Sequence, residues 1–319
     1  MYIKIRWPFT FLSFSLLSFL LVLLGIKADS FCARSNNHLL LTPPLRIVVT
    51  TSMIGDALEQ ITQGKATVIT LMGPKVDPHS YVPTIQDARR LYEADIIVYS
   101  GLHLEGTMQN ILEALNKVKP VYAVSDALDE EDIQYDATFS GGVDPHFWCS
   151  VPLWKKGISR ISDRLQVHDE QNAPNYKKNT IKYEKELLKL HQYILREVQK
   201  IPKEKFVVVS HDGLNYLEKT YNLKIEALQD MNAKMDVSLK KRMTIEKLII
   251  ENKIKTVYLE PTIRSRPILS LVQNCRIKGY QLDIKLLYSD SLGPKGTAEG
   301  TYVGMMKTNI THIVKGLTK

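Results

Sequence analysis

The sequence predicts an α/β protein with two (βα)-type lobes, each built on a mainly parallel sheet, joined by a single long rigid helix. Three observations carry this expectation. Short β-branched runs alternate with amphipathic segments from residue 45 onward. That alternation pauses after about residue 170 and restarts at Phe206. Between the two series, Asn175–Gln199 runs without Gly or Pro, and Tyr183, Leu187, Leu188, Leu190, Tyr193, Ile194 and Val198 recur at helical spacing. Such a segment of about 25 residues would be on the order of 37 Å long, the span of a domain.

The first series begins with a strand at Leu45–Thr50, followed by a short helix over Ile54–Ile61 that Gly64 closes. Ala66–Leu71 is a second strand, ended by Gly73-Pro74. Thr84 reads as the N-cap of a helix through Tyr92, because its hydroxyl can accept a first-turn N–H. A strand over Asp95–Tyr99, a helix over Glu105–Val118 and a strand over Val121–Val124 complete the first sheet. Residues 125–143, acidic and then Gly-rich, read as an exposed loop, and Val151 opens a helix to about Val167.

The second series has strands at Phe206–Val209, Leu223–Leu228, Thr256–Leu259 and Ile284–Tyr288. Helices are expected over Leu214–Tyr221, Met243–Asn252, Ser265–Lys278 (with Pro267 in its first turn) and Tyr302–Leu317. Strand–helix alternation of this kind gives parallel sheets with helices on both faces. The expected domains are a signal peptide over 1–28, a first lobe over 29–170, a linking helix over 171–200 and a second lobe over 201–319.

The signal peptide is read from Lys4 and Arg6, then an uncharged apolar stretch from Trp7 to Ile26, then Lys27-Ala28-Asp29-Ser30. The rest of the chain is expected in the periplasm. Of the formal charge of +8, Lys4, Arg6 and Lys27 fall in that first segment. The remaining excess is mild and spread over Lys-rich helices, without the basic, aromatic-interleaved patch that nucleic acid needs. Three cysteines lack the paired spacing of a thiolate zinc site. Asp29-Ser30-Phe31 is a poor lipidation signal for Cys32, so lipid anchoring there is not expected. Cys149 and Cys275 could pair in an oxidising compartment.

Two copies of one triplet stand out, Asp77-Pro78-His79 and Asp144-Pro145-His146. Pro fixes its own φ and holds the preceding Asp out of helical space, so each His leaves a stiff turn. His211 directly follows the run Phe206–Ser210, and Asp290 follows the strand ending at Tyr288. Ligands bind outside the carboxyl ends of strands in open parallel sheets. Three imidazoles and one carboxylate, two from each half, would suit a divalent transition metal held between lobes. His103 and Glu105, after the third strand, are rivals that would line the outer face of the cleft. Four protein ligands leave no open coordination position, and no His-Glu-x-x-His is present, so a secreted zinc hydrolase is disfavoured.

Asp77-Pro78-His79-Ser80-Tyr81-Val82-Pro83-Thr84 resembles a signature of metal-binding solute receptors of ABC importers, the cluster A-I family. Asp144-Pro145-His146-Phe147-Trp148, Ser210-His211-Asp212 and Asp290-Ser291-Leu292-Gly293 are similar to the family's further motifs. The likeness covers about residues 45–319 and is greatest to receptors of the treponemal and chlamydial type. It implies His79, His146, His211 and Asp290 as ligands of one Zn, Mn or Fe ion, carried as cargo. It also implies a membrane permease and its cytoplasmic ATPase as partners, with the receptor itself a monomer. The sequence departs from many manganese receptors in having His211 where they carry Glu, and from many zinc receptors in lacking a His-rich tract over 125–143. A metal-binding surface adhesin on the same fold is the alternative.

Overall fold

The structure, a computed structural model, describes residues 43–135, 142–230 and 237–318. Cys32 and the segment read as a signal peptide lie outside the described residues. Among the described residues, no helix is long and apolar enough to cross a membrane.

Two four-stranded parallel sheets form the frame. The first contains β1 (Leu45–Thr51), β2 (Ala66–Met72), β3 (Ile96–Tyr99) and β4 (Val121–Ala123), in the order β2-β1-β3-β4. The second contains β5 (Val207–His211), β6 (Ile225–Gln229), β7 (Thr256–Leu259) and β8 (Asp283–Leu286), in the order β6-β5-β7-β8. The halves therefore share one winding, and each reverses direction between its first and third strands. At such a reversal the flanking loops diverge and leave room for a ligand. Central strands β1 and β5 are covered on both faces past the open start of β1: Ile47, Val48, Val49, Val207, Val208 and Val209 are all buried.

In the first half, α1 (Ser52–Thr62), α2 (Ile85–Glu93), α3 (Gln109–Asn116) and α4 (Val151–His168) flank the sheet. Thr84 caps α2 as expected, in a reciprocal box with Asp87. The helix expected from Glu105 instead starts as a 3-10 turn over Gly106–Met108, and α3 takes over at Gln109. Between Asp129 and Asp132 the acidic loop forms another short 3-10 turn, tied to Lys156.

The long segment forms α5 (Ala173–Val198). Its buried seam is Tyr176, Thr180, Tyr183, Leu187, Leu190 and Ile194, a 4-3-4-3-4 spacing that keeps one face inward. Leu188 falls off that seam and is half-exposed. The chain then runs through α6 (Asn215–Tyr221), α7 (Leu239–Glu251), α8 (Arg266–Ile277) and α9 (Tyr302–Leu317). α5 packs on α4 and α1 from the first half and on α9 from the second. One hydrophobic cluster consequently runs from Ile47 and Ile54 through Tyr183 and Leu187 to Val207 and Ile310. Trp154 stacks on Tyr302 within it, with ring centroids 5.1 Å apart. Two smaller clusters, around Val48 and around Val257, cover the opposite faces of the two sheets. Cys149 belongs to the large cluster and Cys275 to the Val257 cluster; both are buried free thiols, so the possible disulfide is not formed.

Candidate metal centre

The two Asp-Pro-His turns are built alike. Asp77 Oδ1 accepts the His79 backbone N–H at 2.9 Å, and Asp144 Oδ1 accepts that of His146 at 2.8 Å. Proline between them has no N–H to compete for the carboxylate, so the turn has one hydrogen-bonding solution. Ser80 adds a bond to Asp77 Oδ2 at 2.5 Å. Asp144 goes further and faces His146 Nδ1 at 2.7 Å.

The other two residues come from the second half. His211 is the last residue of β5 itself, which runs two positions past the expected end at Val209. Asp290 lies beyond β8, which stops at Leu286, shorter than expected. Glu260, at the carboxyl end of neighbouring β7, accepts the backbone N–H groups of Ser210 and His211, each at 3.0 Å, and faces His211 Nδ1 at 2.7 Å. Trp148 donates its indole N–H to the Ser289 carbonyl at 2.8 Å, joining the His146 turn to the Asp290 turn.

All four expected residues converge. The side chains of His79, His146, His211 and Asp290 are buried, and one nitrogen or oxygen from each lies within 4.8 Å of the others. Nε2 of His79 and of His146 are 3.0 Å apart. Asp290 lies 3.4 Å from His146 Nε2, 3.3 Å from His211 Nε2 and 4.0 Å from His79 Nε2. Four tetrahedral ligands at about 2.0–2.1 Å from a zinc ion would be about 3.3 Å apart. Three separations, 3.0, 3.4 and 3.3 Å, are close to that edge, and the His79–Asp290 separation, at 4.0 Å, is longer.

Charge in the cluster points the same way. Burial opposes charging of His146, but the Asp144 and Asp290 carboxylates outweigh it and lift the imidazole to about 9. His211 is likewise raised well above its ordinary value: burial opposes, and Glu260 and Asp290 prevail. Burial would raise the Asp290 carboxyl, yet His211 and His146 hold it well below the usual range. Anionic groups around three convergent imidazoles favour positive charge at their centre.

His103 and Glu105 do not join. His103 is exposed on a left-handed backbone, with φ of 62°. Glu105 is buried instead of lining an outer face, and accepts from Thr50 Oγ1 and the Ser100 N–H, both at 2.7 Å. It braces the ends of β1 and β3. Sequence reasoning missed Glu260 and Gly213, and placed Trp148 in a motif without a role. A carboxylate directly after the Thr256–Leu259 strand and before Pro261 was the available signal for the first.

Two like-wound parallel lobes with a buried three-histidine, one-aspartate cluster between them define a two-lobed solute-binding protein of the cluster A-I type. A profile of the family described as zinc-uptake complex component A, periplasmic, matches residues 47–316, and the chain belongs to that family. It is 36% identical over 275 residues to the manganese-binding lipoprotein MntA of Bacillus subtilis, covering 86% of this chain and 90% of that one. To the zinc-binding protein TroA of Treponema pallidum it is 32% identical over 275 residues, covering 86% and 89%. The solved structure of periplasmic TroA superposes with a TM-score of 0.82 at 31% identity, covering 86% of this chain and 99% of that one.

Proposed function

We propose that this protein is the periplasmic receptor of an ABC-type metal importer, and that His79, His146, His211 and Asp290 hold its cargo, one divalent transition metal ion. The observation that carries the reading is the convergence of those four buried donor atoms from both halves of the chain. Two relatives bear names for different metals, manganese and zinc. The donor set of three nitrogens and one carboxylate accommodates either, and iron as well.

The role is capture and delivery. Four protein ligands complete a tetrahedral shell, which leaves no position for a metal-bound water and argues against hydrolysis. A buried ion leaves only if the halves part, so a membrane permease with its cytoplasmic ATPase is the partner that the cycle requires. The receptor acts as a monomer, with lobes over 29–170 and 201–319, the helix 171–200 between them, and residues 1–28 removed on export. Phe31 before Cys32 argues against a lipid anchor, while the relative MntA is named a lipoprotein; the intact mass of the exported chain decides that point.

Metal content of protein purified without added metal, followed by competition among Zn, Mn and Fe, tests the reading. About one ion per chain is expected, with its loss in His211→Ala and Asp290→Ala. Full-affinity binding in both variants would overturn it.

A further inference from the structure

We infer that Glu260 tunes the metal preference of this site, by holding His211 in the one tautomer that presents Nε2 to the ion and by strengthening that nitrogen as a donor. The inference rests on the metal-site reading above.

Glu260 and His211 have fully buried side chains, and Oε2 lies 2.7 Å from Nδ1. The two atoms are within ion-pair distance but off the line of a ring hydrogen bond. A neutral imidazole has one ring proton, and the adjacent carboxylate favours it on Nδ1 over Nε2. The Nε2 lone pair is then left facing Asp290 and the common centre, 3.3 Å from Oδ2. The second carboxylate oxygen is already committed to the Ser210 and His211 backbone N–H groups, both at 3.0 Å. Glu260 therefore pins the His211 peptide against β7 and sets a carboxylate oxygen beside the ring's far nitrogen. Every atom in this arrangement belongs to the second half of the chain, so the ring is aimed without help from the first.

The same carboxylate has a chemical effect. A carboxylate on the far nitrogen raises the basicity of a metal-bound imidazole. Zinc gains more than manganese from a stronger nitrogen donor, because manganese prefers oxygen ligands and stands lowest in the divalent affinity order. Glu260 touches no ion in this reading; it is a positioning residue that shifts the balance toward zinc.

The test is Glu260→Gln, with zinc and manganese affinities measured by chelator competition on wild type and variant. Glutamine keeps the size, but either orientation of its amide loses a partner. With its carbonyl on Nδ1–H, its NH2 meets backbone N–H groups; turned over, its NH2 meets Nδ1 and drives the ring proton to Nε2. Zinc affinity is expected to fall about 10–100-fold, and manganese affinity by less, so the zinc-to-manganese ratio drops. Equal losses for the two metals, which a purely structural role gives, overturn the inference and leave the metal site standing. Unchanged affinities do the same. Failure of the wild type to bind either metal sinks the site reading itself. Should the Gln variant not fold, Glu260→Asp is read by the same ratio, and 15N NMR of the zinc-loaded wild type reports the His211 tautomer. A proton on Nδ1 is expected there; a proton on Nε2 overturns the inference.

Discussion

Gly213 lies so close to His211 that a Cβ built on it would sit 2.5 Å from Nε2, and 3.1 Å from Cδ2 of His146. The chain folds back over its own site two residues after His211, and only a residue without a side chain leaves the nitrogen clear. The obstacle is a stiff ring held by Glu260, with little freedom to move aside. Gly213→Ala is therefore expected to reduce metal affinity by tenfold or more, about 1.4 kcal/mol, with the fold retained. Isothermal titration against zinc, alongside circular dichroism of the variant, checks it. Wild-type affinity would mean that the His211 ring is not where the structure puts it.

Trp148 connects the two metal-bearing turns through the Ser289 carbonyl, and its own carbonyl accepts from Tyr302 Oη at 2.7 Å. Trp148→Phe keeps an aromatic ring in the core and leaves the Ser289 carbonyl without its donor. Losing a buried hydrogen bond in this way costs about 1–3 kcal/mol. The loss should appear as faster metal release into a chelator, because the bond joins the two turns that must separate. Stopped-flow dissociation measures it; an unchanged off-rate with lowered thermal stability would assign Trp148 to packing alone.

The His79 loop is anchored through Asp87. Burial pushes the Asp87 carboxyl up, but hydrogen bonds from Thr84 and Tyr81 and the Arg90 charge outweigh it and hold it below its ordinary value. A carboxyl lowered in the folded state stabilises above its unfolded pKa, about 3.9, and that contribution disappears as pH falls through the folded value. Asp87→Ala removes the acceptor for Tyr81 and Thr84 and should thus cost about 1–3 kcal/mol at pH 7. The gap from wild type should narrow below about pH 4. Urea denaturation of metal-free protein at both pH values tests the sign, and a gap independent of pH would contradict it.

The shared core around α5 limits how far the halves can part. Tyr183 and Leu187 pack in the same cluster as residues of both sheets, and α5 touches α1 and α9 together. Metal removal should therefore change the radius of gyration, about 19 Å for a body of this size, by on the order of 1 Å or less. Small-angle scattering with and without chelator measures this. A change of several ångströms would mean that α5 bends or unpacks.

Much of this was legible in the sequence, and the exceptions have physical reasons. β7 and α9 fall at their expected bounds, because a β-branched run and a Thr301 cap followed by an apolar period are local signals. α7 begins at Leu239, four residues early, since Ser238 caps it while Lys240, Lys241 and Arg242 hide the apolar period. Leu188 shares the apolar helical spacing of α5, yet the seam that two halves impose leaves it outside. His79, His146, His211 and Asp290 were visible through repeated motifs at strand ends. Glu260 and Gly213 were not, because their roles arise from β7 lying beside β5 and from a chain reversal over His211.

Crystals grown with zinc and measured across its absorption edge test the central claim most directly. The account predicts one strong anomalous peak per chain, about 2.0–2.2 Å from Nε2 of the three histidines and from an Asp290 oxygen. No peak at that position, or a peak held by other residues, would contradict it.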